Sequence, residues 1–309
     1  MNDVVCSSSK FNFILYADDT TLGAPLLSTT DTENALSTDI NTELNRIFDW
    51  LCVNKLSINV KKTKFIIHHH TQRHRNTLPK LNLNIDNIPI EQVQTFNFLG
   101  VIIEEHLNWN EHIKRISLKI SRTTGVLKRL HNILPIDTLL IMYNALVVPH
   151  LQYGILAWGF KTSRLLKLQK KAIRIVCKEK YNAHTEQLFK RLNCLRIDDI
   201  FIHNTMKFYY RYIKNELPSY FKDFFTERFP THQYATRQQN IPLPNTPSRA
   251  SSQNSIRYYI PKVLDTMPNI IKDKLHTHSF QGFSRYLKMY LVNNYEIDCH
   301  LPNCYVCGR

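Results

Sequence analysis

Two adjacent carboxylates between two short apolar runs are the feature that most constrains this chain. Asp18 and Asp19 follow the β-prone run 11–15 and Tyr16, and a second such run, 20–23, comes directly after them. Apolar runs of this length on both sides of a polar pair predict a β-hairpin whose tip carries the acids. Because two neighbouring anions repel each other, the arrangement favours a bound cation, and carboxylate oxygens suit Mg²⁺.

An exposed turn without a metal is the alternative, since Asp is a common turn residue. The apolar run before the acids, with Tyr16 two positions before Asp18, favours the metal site. The run Phe-Ile-Leu-Tyr-Ala-Asp-Asp at 13–19 also resembles the metal-binding hairpin of reverse transcriptases.

Three further motifs follow in the same order as in those enzymes. Residues 56–64, Leu-Ser-Ile-Asn-Val-Lys-Lys-Thr-Lys, resemble the element after the hairpin, and 98–101, Phe-Leu-Gly-Val, resemble the hairpin that holds the primer. The tract 107–159 resembles the region that comes next in non-LTR retrotransposons of the LINE type, with jockey-like character. The chain therefore resembles the C-terminal portion of such a reverse transcriptase over nearly its whole length.

The resemblance implies an α+β fold: a truncated right-hand polymerase palm, built of an antiparallel sheet and a helix, then a helical thumb and a mostly helical C-terminal region. The domain boundaries that we expect are 1–104 for the palm portion, 105–160 for the thumb-like region, 161–230 for a basic helical region, 231–254 for a low-order linker and 255–309 for the C-terminal segment.

The function implied by the resemblance is RNA-directed DNA synthesis by two-metal nucleotidyl transfer. Its cofactor is Mg²⁺, and its partners are an RNA template, a DNA primer and nucleoside triphosphates. Asp18 and Asp19 match the catalytic metal ligands, and Lys62 matches a lysine near the triphosphate, although a lone lysine in a polar turn is commonly just solvated. Cofactor and primer binding fall to Tyr16, Phe98, Leu99 and Gly100, of which Phe98 and Leu99 are expected to be buried.

A third metal-binding Asp, which the family carries on an upstream strand, has no counterpart here. Only fifteen residues precede Tyr16, and Asp3 lies too close to the hairpin to serve. We therefore expect a chain that is not a competent polymerase alone. One alternative is a noncatalytic nucleic-acid-binding remnant; another is a fragment that folds poorly because half a palm leaves an unpaired sheet edge and exposed apolar helix faces.

The charge of the chain is distributed unevenly. The formal net charge is +15, yet residues 1–60 hold three Lys/Arg against eight Asp/Glu. The remainder is strongly basic, as expected of a chain that contacts a phosphate backbone. A basic surface that serves only solubility is the alternative.

A basic amphipathic helix is predicted within 161–180, where eight Lys/Arg accompany a single Glu and an apolar seam. A solvated helix face is the alternative to nucleic-acid contact there. The candidate nucleic-acid-binding residues are Lys161, Arg164, Lys167, Lys170, Lys171, Arg174 and Lys178.

Hydrophobic periodicity predicts the remaining elements. A helix is expected from about Leu36 to 52–55 with its apolar stripe on the sheet, followed by a strand at 64–68, a strand pair at 81–90 with Asp86-Asn87 at its turn, and a strand or hairpin at 93–104. Helices are expected from Trp109, after Pro135 and within 185–215, and the last ordered piece at 255–295. Trp109, Tyr143, Tyr153 and Trp158 lie on apolar faces, which favours core packing over base stacking.

The cysteines and histidines give weak metal signals. Cys299, His300, Cys304 and Cys307 contain one chelating Cys-x-x-Cys pair, and free thiols are the favoured interpretation because a second, well-separated ligand pair is absent. The run His68–His70 is interpreted as a loop. No apolar run is long enough for a membrane span and no signal peptide is recognisable, so the expected location is intracellular, nuclear or cytoplasmic, without membrane association.

Overall fold

The computed structural model describes residues 2–25, 33–69, 79–222, 224–225 and 255–295. Within these residues helices accompany several small β-ladders, so the expectation of a mixed α and β chain is confirmed. The chain divides into two compact units, Met1–Asn108 and Trp109–Arg309, called here unit 1 and unit 2.

Unit 1 contains the β-structure and one long helix. It opens with a short 3-10 helix, Asn2–Ser7, and then has β1 (Asn12–Tyr16), β2 (Asp19–Gly23), α1 (Glu33–Val53), β3 (Lys64–Phe65), β4 (Asn84–Ile85), β5 (Ile88–Pro89), β6 (Glu91–Gln92), β7 (Thr95–Phe98) and β8 (Val101–Glu104). The predicted hairpins are thus present, and strand β3 is shorter than expected.

The turn between β4 and β5 forms as its residues predict. Asp86 and Asn87 form a two-residue connection, and their φ angles are 51° and 58°. Positive φ at both positions defines a type I′ turn, whose twist matches the flanking strands, and Asp and Asn tolerate that backbone better than most residues.

Helix α1 packs its apolar stripe against the β-ladders, as expected. The core of unit 1 comprises Leu44, Ile67, Leu81, Leu83, Ile85 and Ile90, with Ile40 and Phe48 packed against it. On α1 itself, the buried Glu43 accepts hydrogen bonds from Ser8 and Arg46, and the Arg46 contact is also an ion pair. A buried carboxylate is tolerated because both partners compensate its lost hydration.

The continuous antiparallel sheet expected for a palm is not found in the described part of unit 1. The strands form four separate two-stranded ladders, and β3 pairs with β6 in parallel. Four of these eight strands are only two residues long. A side chain also closes one edge: Asn41 on α1 donates to the carbonyl of Asn82 and accepts from the N–H of Asn84, both at 2.9 Å. The Asn41 amide uses the hydrogen-bonding groups that a neighbouring strand would need, so no further strand pairs at this edge.

The described part of unit 2 contains helices and their connections, without a strand. Its helices are α2 (Asn110–Leu130), α3 (Ile136–Leu146), α4 (Val148–Gln152), α5 (Ile155–Trp158), α6 (Ser163–Val176), α7 (Glu186–Arg191), α8 (Ile197–Ile213), α9 (Ile256–Thr266), α10 (Asn269–Thr277) and α11 (Phe280–Asn293). The helical tract predicted at 185–215 is two helices, α7 and α8, separated by a short connection.

The core of unit 2 is made by large side chains from several helices. Trp158, Tyr143 and Phe189 are fully buried, and Trp109 is also buried. The core interpretation of Trp109, Tyr143 and Trp158 is therefore confirmed. Tyr153 is the exception, since it is 57% exposed. Gly159 permits the close packing of α5 on α8, because a Cβ there would lie 2.4 Å from the ring of Phe201.

A buried glutamine connects three segments of this core. Gln169 on α6 is fully buried, and its amide nitrogen donates to the hydroxyl of Tyr143 and to the carbonyl of Leu195, each at 2.9 Å. Its amide oxygen accepts from the N–H of Ile197 at 2.8 Å. The side chain thereby satisfies the backbone where α8 begins and links it to α3 and α6.

Candidate functional site

The two acids lie at the tip of the first hairpin. Tyr16 pairs with Asp19, so Ala17 and Asp18 form the two-residue connection between β1 and β2. Tyr16, Asp18 and Asp19 are all exposed. The predicted hairpin is confirmed, and metal binding by its acids stays a prediction.

The backbone at this tip is strained. Ala17 has a φ of 52°, which lies in the left-handed region. A residue with a Cβ in that conformation costs about 1–2 kcal/mol, so the surrounding ladder holds the turn in place. The same turn projects Asp18 outward, and within the described residues neither Asp18 nor Asp19 forms an ion pair. The carboxylates are therefore accessible to a cation from solution.

Lys62 lies on a separate turn of unit 1. The backbone N–H of Lys62 donates to the carbonyl and to the side-chain oxygen of Asn59, at 3.0 and 3.2 Å. The lysine side chain is exposed, and in the part of unit 1 that the structure describes it makes no hydrogen bond or ion pair with Asp18 or Asp19. Its predicted role near a triphosphate stays a prediction.

The Phe98-Leu99-Gly100 segment forms the second tight hairpin, between β7 and β8. Phe98 pairs with Val101, and Leu99 and Gly100 have φ angles of 45° and 84°. Glycine suits this turn because it adopts positive φ without strain. The expected burial of Phe98 and Leu99 was wrong: both side chains are half-buried, because a two-residue connection places Leu99 at a tip that its own strands cannot enclose.

The predicted basic helix is confirmed as α6, but its cations have different environments. Lys161, Arg164, Lys167, Lys171 and Lys178 are exposed. Lys170 forms an ion pair with Glu186 at 2.9 Å, and Arg174 donates to the carbonyl of Ala183 at 2.7 Å. Although burial raises the pKa of Glu186, the hydrogen bond from Lys170 brings that pKa below its usual range. Lys170 and Arg174 therefore stabilise the α6–α7 connection, a role that the charge pattern did not predict.

A groove of about 560 Å³ lies where α2 and α6 begin. Three cations line it, Lys114, Lys161 and Arg164, together with Glu111. Neither helix has a side-chain hydrogen bond at its N-cap, so backbone N–H groups of both first turns retain their partial positive charge. Cations and helix N-termini together suit a phosphate group.

A cluster of His69, Glu105 and His106 was missed by the sequence analysis. Glu105 and His106 follow the end of β8, and His69 follows β3; one possible ligand atom from each residue lies within 4.8 Å of the other two. His69 belongs to the run interpreted above as a loop, and it lies outside the helices and strands, so the loop is confirmed while its place in this cluster was not foreseen. The only sequence signal was the Glu-His pair after a strand, and its partner lies 36 positions away, where sequence spacing gives no guidance.

The cysteine cluster predicted as a weak zinc candidate, Cys299 to Cys307, lies outside the described residues. So does the linker expected at 231–254.

Comparisons with known proteins give no family for this chain. No protein-family model, curated protein or solved structure matches it. Among the residues that the structure describes, no helix combines the length and the apolar character needed to cross a bilayer.

Proposed function

We propose that this chain is the C-terminal portion of a non-LTR retrotransposon reverse transcriptase and that Asp18 and Asp19 bind Mg²⁺. The observation that carries the proposal is the β1–β2 hairpin, which presents both carboxylates to solvent at its tip. It is supported by the ordered motifs at 13–19, 56–64, 98–101 and 107–159. The substrates would be nucleoside triphosphates, with an RNA template and a DNA primer.

The chemistry proposed at the hairpin is two-metal nucleotidyl transfer. One ion activates the 3′-hydroxyl of the primer, and the other stabilises the triphosphate as pyrophosphate leaves. The two ions of such a site lie about 3.5–4 Å apart, and in the family a third Asp completes their ligand set. Because the third acid of the family has no match in this sequence, the chain alone is expected to hold Mg²⁺ weakly and to lack polymerase activity.

The first test measures Mg²⁺-dependent binding of a nucleoside triphosphate to the purified chain. We expect Asp18→Ala to weaken it at least tenfold, because Mg²⁺ is held by carboxylates together with substrate phosphates. Asp49→Ala is the matched control, since Asp49 is an exposed acid on α1 of the same unit. Equal binding by the parent and Asp18→Ala would show that the hairpin is not the Mg²⁺ site.

Primer extension on a homopolymer template tests the expected lack of activity. We expect no incorporation by the chain alone. Clear incorporation that disappears in Asp18→Ala would contradict that expectation while supporting the assignment of the hairpin.

A noncatalytic nucleic-acid-binding protein is the second candidate, and the groove between the starts of α2 and α6 favours it. Lys114, Lys161 and Arg164 line the groove beside two helix N-termini, and Lys114 also forms an ion pair with Glu111 at 3.4 Å. The exposed Lys167 and Lys171 extend the positive charge along α6, since residues at i, i+3 and i+7 share a helix face. Such contacts give salt-dependent affinity with little sequence preference.

Its test compares Arg164→Ala with Arg285→Ala in single-stranded RNA binding at several salt concentrations. Loss of one phosphate contact lowers the slope of log K against log salt by about 0.7. We expect that change for Arg164→Ala only, because Arg285 is an exposed cation on α11, away from the groove residues. Removing a positive charge from the first turn of α6 does not weaken the helix, so unfolding is not a competing cause. If the two variants give the same slope of log K against log salt, the groove is excluded as the RNA-binding site.

A further inference from the structure

We propose that His69, Glu105 and His106 form a binding site for a divalent transition-metal ion of the zinc class. The site lies wholly within unit 1 and uses neither Asp18 nor Asp19. It is independent of the polymerase proposal.

The distances in the cluster suit an ion better than direct hydrogen bonds. His69 Nε2 lies 3.8 Å from one Glu105 oxygen, and His106 Nε2 lies 3.4 Å from the other. A charge-assisted N–H···O bond is about 2.7–2.9 Å long. Ligands at about 2.0–2.1 Å from a tetrahedral ion are about 3.3–3.4 Å apart, a spacing that the His106–Glu105 distance matches and the His69–Glu105 distance slightly exceeds.

The tautomer of His106 supports the same conclusion. Its Nδ1 lies 3.3 Å from the carbonyl oxygen of His69. Because a carbonyl only accepts, Nδ1 carries the proton in that contact, and Nε2 of the neutral ring then presents its lone pair toward the Glu105 carboxylate. In that tautomer both groups offer lone pairs that one cation can accept together. A hydrogen bond from the distal ring nitrogen to a backbone carbonyl is also the usual outer contact of a metal-bound histidine.

The site is held in place by the backbone on both sides. The N–H of His69 donates to the carbonyl of Glu105 at 3.1 Å, and the N–H of Glu105 donates to the carbonyl of Gln94 at 2.9 Å. The His69 side chain is only 3% exposed, and those of Glu105 and His106 are 17% and 22% exposed. The ligands are therefore largely ordered before an ion arrives, with one side open to solvent.

The ligand set identifies the class of ion. Two imidazole nitrogens and one carboxylate suit Zn²⁺, Co²⁺ or a related transition metal, whereas Mg²⁺ and Ca²⁺ require oxygen ligands. Three protein ligands leave a further position for water. The bound ion would join the segment after β3 to the segment after β8.

The test measures Zn²⁺ and Co²⁺ binding by the full chain after removal of metal with a chelator. The Cys304→Ser/Cys307→Ser background removes the Cys-x-x-Cys pair, and absence of a thiolate-to-cobalt charge-transfer band confirms that no remaining cysteine is a ligand. We expect one ion per chain in this background. His106→Ala and the isosteric Glu105→Gln should each weaken binding at least tenfold, whereas His276→Ala, which removes an exposed histidine on α10 of unit 2, should not.

A second measurement keeps the proposal falsifiable if His106→Ala folds poorly. Excess Zn²⁺ should raise the melting temperature of the parent and of His276→Ala but not that of Glu105→Gln, whose shape is unchanged. No binding by the parent, or equal affinity in the parent and Glu105→Gln, would overturn the proposal and leave a metal-free His-Glu-His contact.

Discussion

At the scale of single residues, local pattern predicted the tight turns but not the strain in them. Asp86-Asn87 is a turn signal that the structure matches with a type I′ geometry. Ala17 and Leu99 also adopt positive φ, at 52° and 45°, although neither residue favours it. Their conformations follow from the two-residue length of each connection and from the pairing of the flanking strands, and composition alone does not reveal either.

His112 on α2 is a buried histidine with a predictable effect on stability. It is 3% exposed and contacts Trp158 edge to face, with ring centroids 5.5 Å apart. Burial, together with the charges of Arg115 and Lys119, lowers the pKa of His112 from 6.5 to about 4. Between pH 6.5 and about pH 4, His112 therefore binds a proton in the unfolded chain but not in the folded one. The free energy of unfolding falls as the pH falls through that window.

We expect His112 to lower the free energy of unfolding of unit 2 by about 2 kcal/mol when the pH is lowered from 7 to 4.5. Denaturant unfolding, followed by tryptophan fluorescence, measures it against His112→Gln, which takes up no proton. The parent should lose more stability than the variant on acidification, and the comparison cancels contributions from other titrating groups. If the difference in the free energy of unfolding between the parent and His112→Gln does not change with pH, the prediction for His112 is contradicted.

At the scale of elements, periodicity predicted most helices because an amphipathic stripe is a local property. The contacts that join elements are not local. Asn41 pairs with backbone more than forty positions away, and Gln169 bonds to residues 26 to 28 positions away on either side. In sequence both are ordinary polar residues of a helix. Their roles depend on which backbone and side-chain groups the fold places beside them, and the sequence alone does not give that.

Replacement of Gln169 tests how much one such contact contributes. Gln169→Met keeps a similar shape but leaves the N–H of Ile197, the carbonyl of Leu195 and the hydroxyl of Tyr143 without this partner. Each buried group left unsatisfied costs about 1–3 kcal/mol, so we expect a loss of about 3 kcal/mol in the free energy of unfolding. Circular dichroism during urea unfolding measures it. Gln152→Met, at an exposed position on α4, is the control, and equal stability of the two variants would refute the prediction.

At the scale of the whole molecule, the charge pattern of the sequence predicted an acidic beginning and a basic remainder, and the family resemblance implied a mixed α and β chain. The helices of unit 2 carry most of the cations, and the two exposed acids of the first hairpin lie in unit 1. Charge alone did not distinguish accessible cations from those used internally. Lys170 and Arg174 differ from Lys167 and Lys171 only because α7 and the segment before it pack beside them.

The side chain of Asn41 has a consequence for how copies of this chain meet. A short ladder normally offers its outer rim as a template on which a second molecule can extend the pairing. At residues 82 and 84 that rim is already occupied by an amide that copies the donor and acceptor of a peptide group. A foreign segment would have to displace two satisfied hydrogen bonds to attach there, so this rim is protected against growth into fibrils.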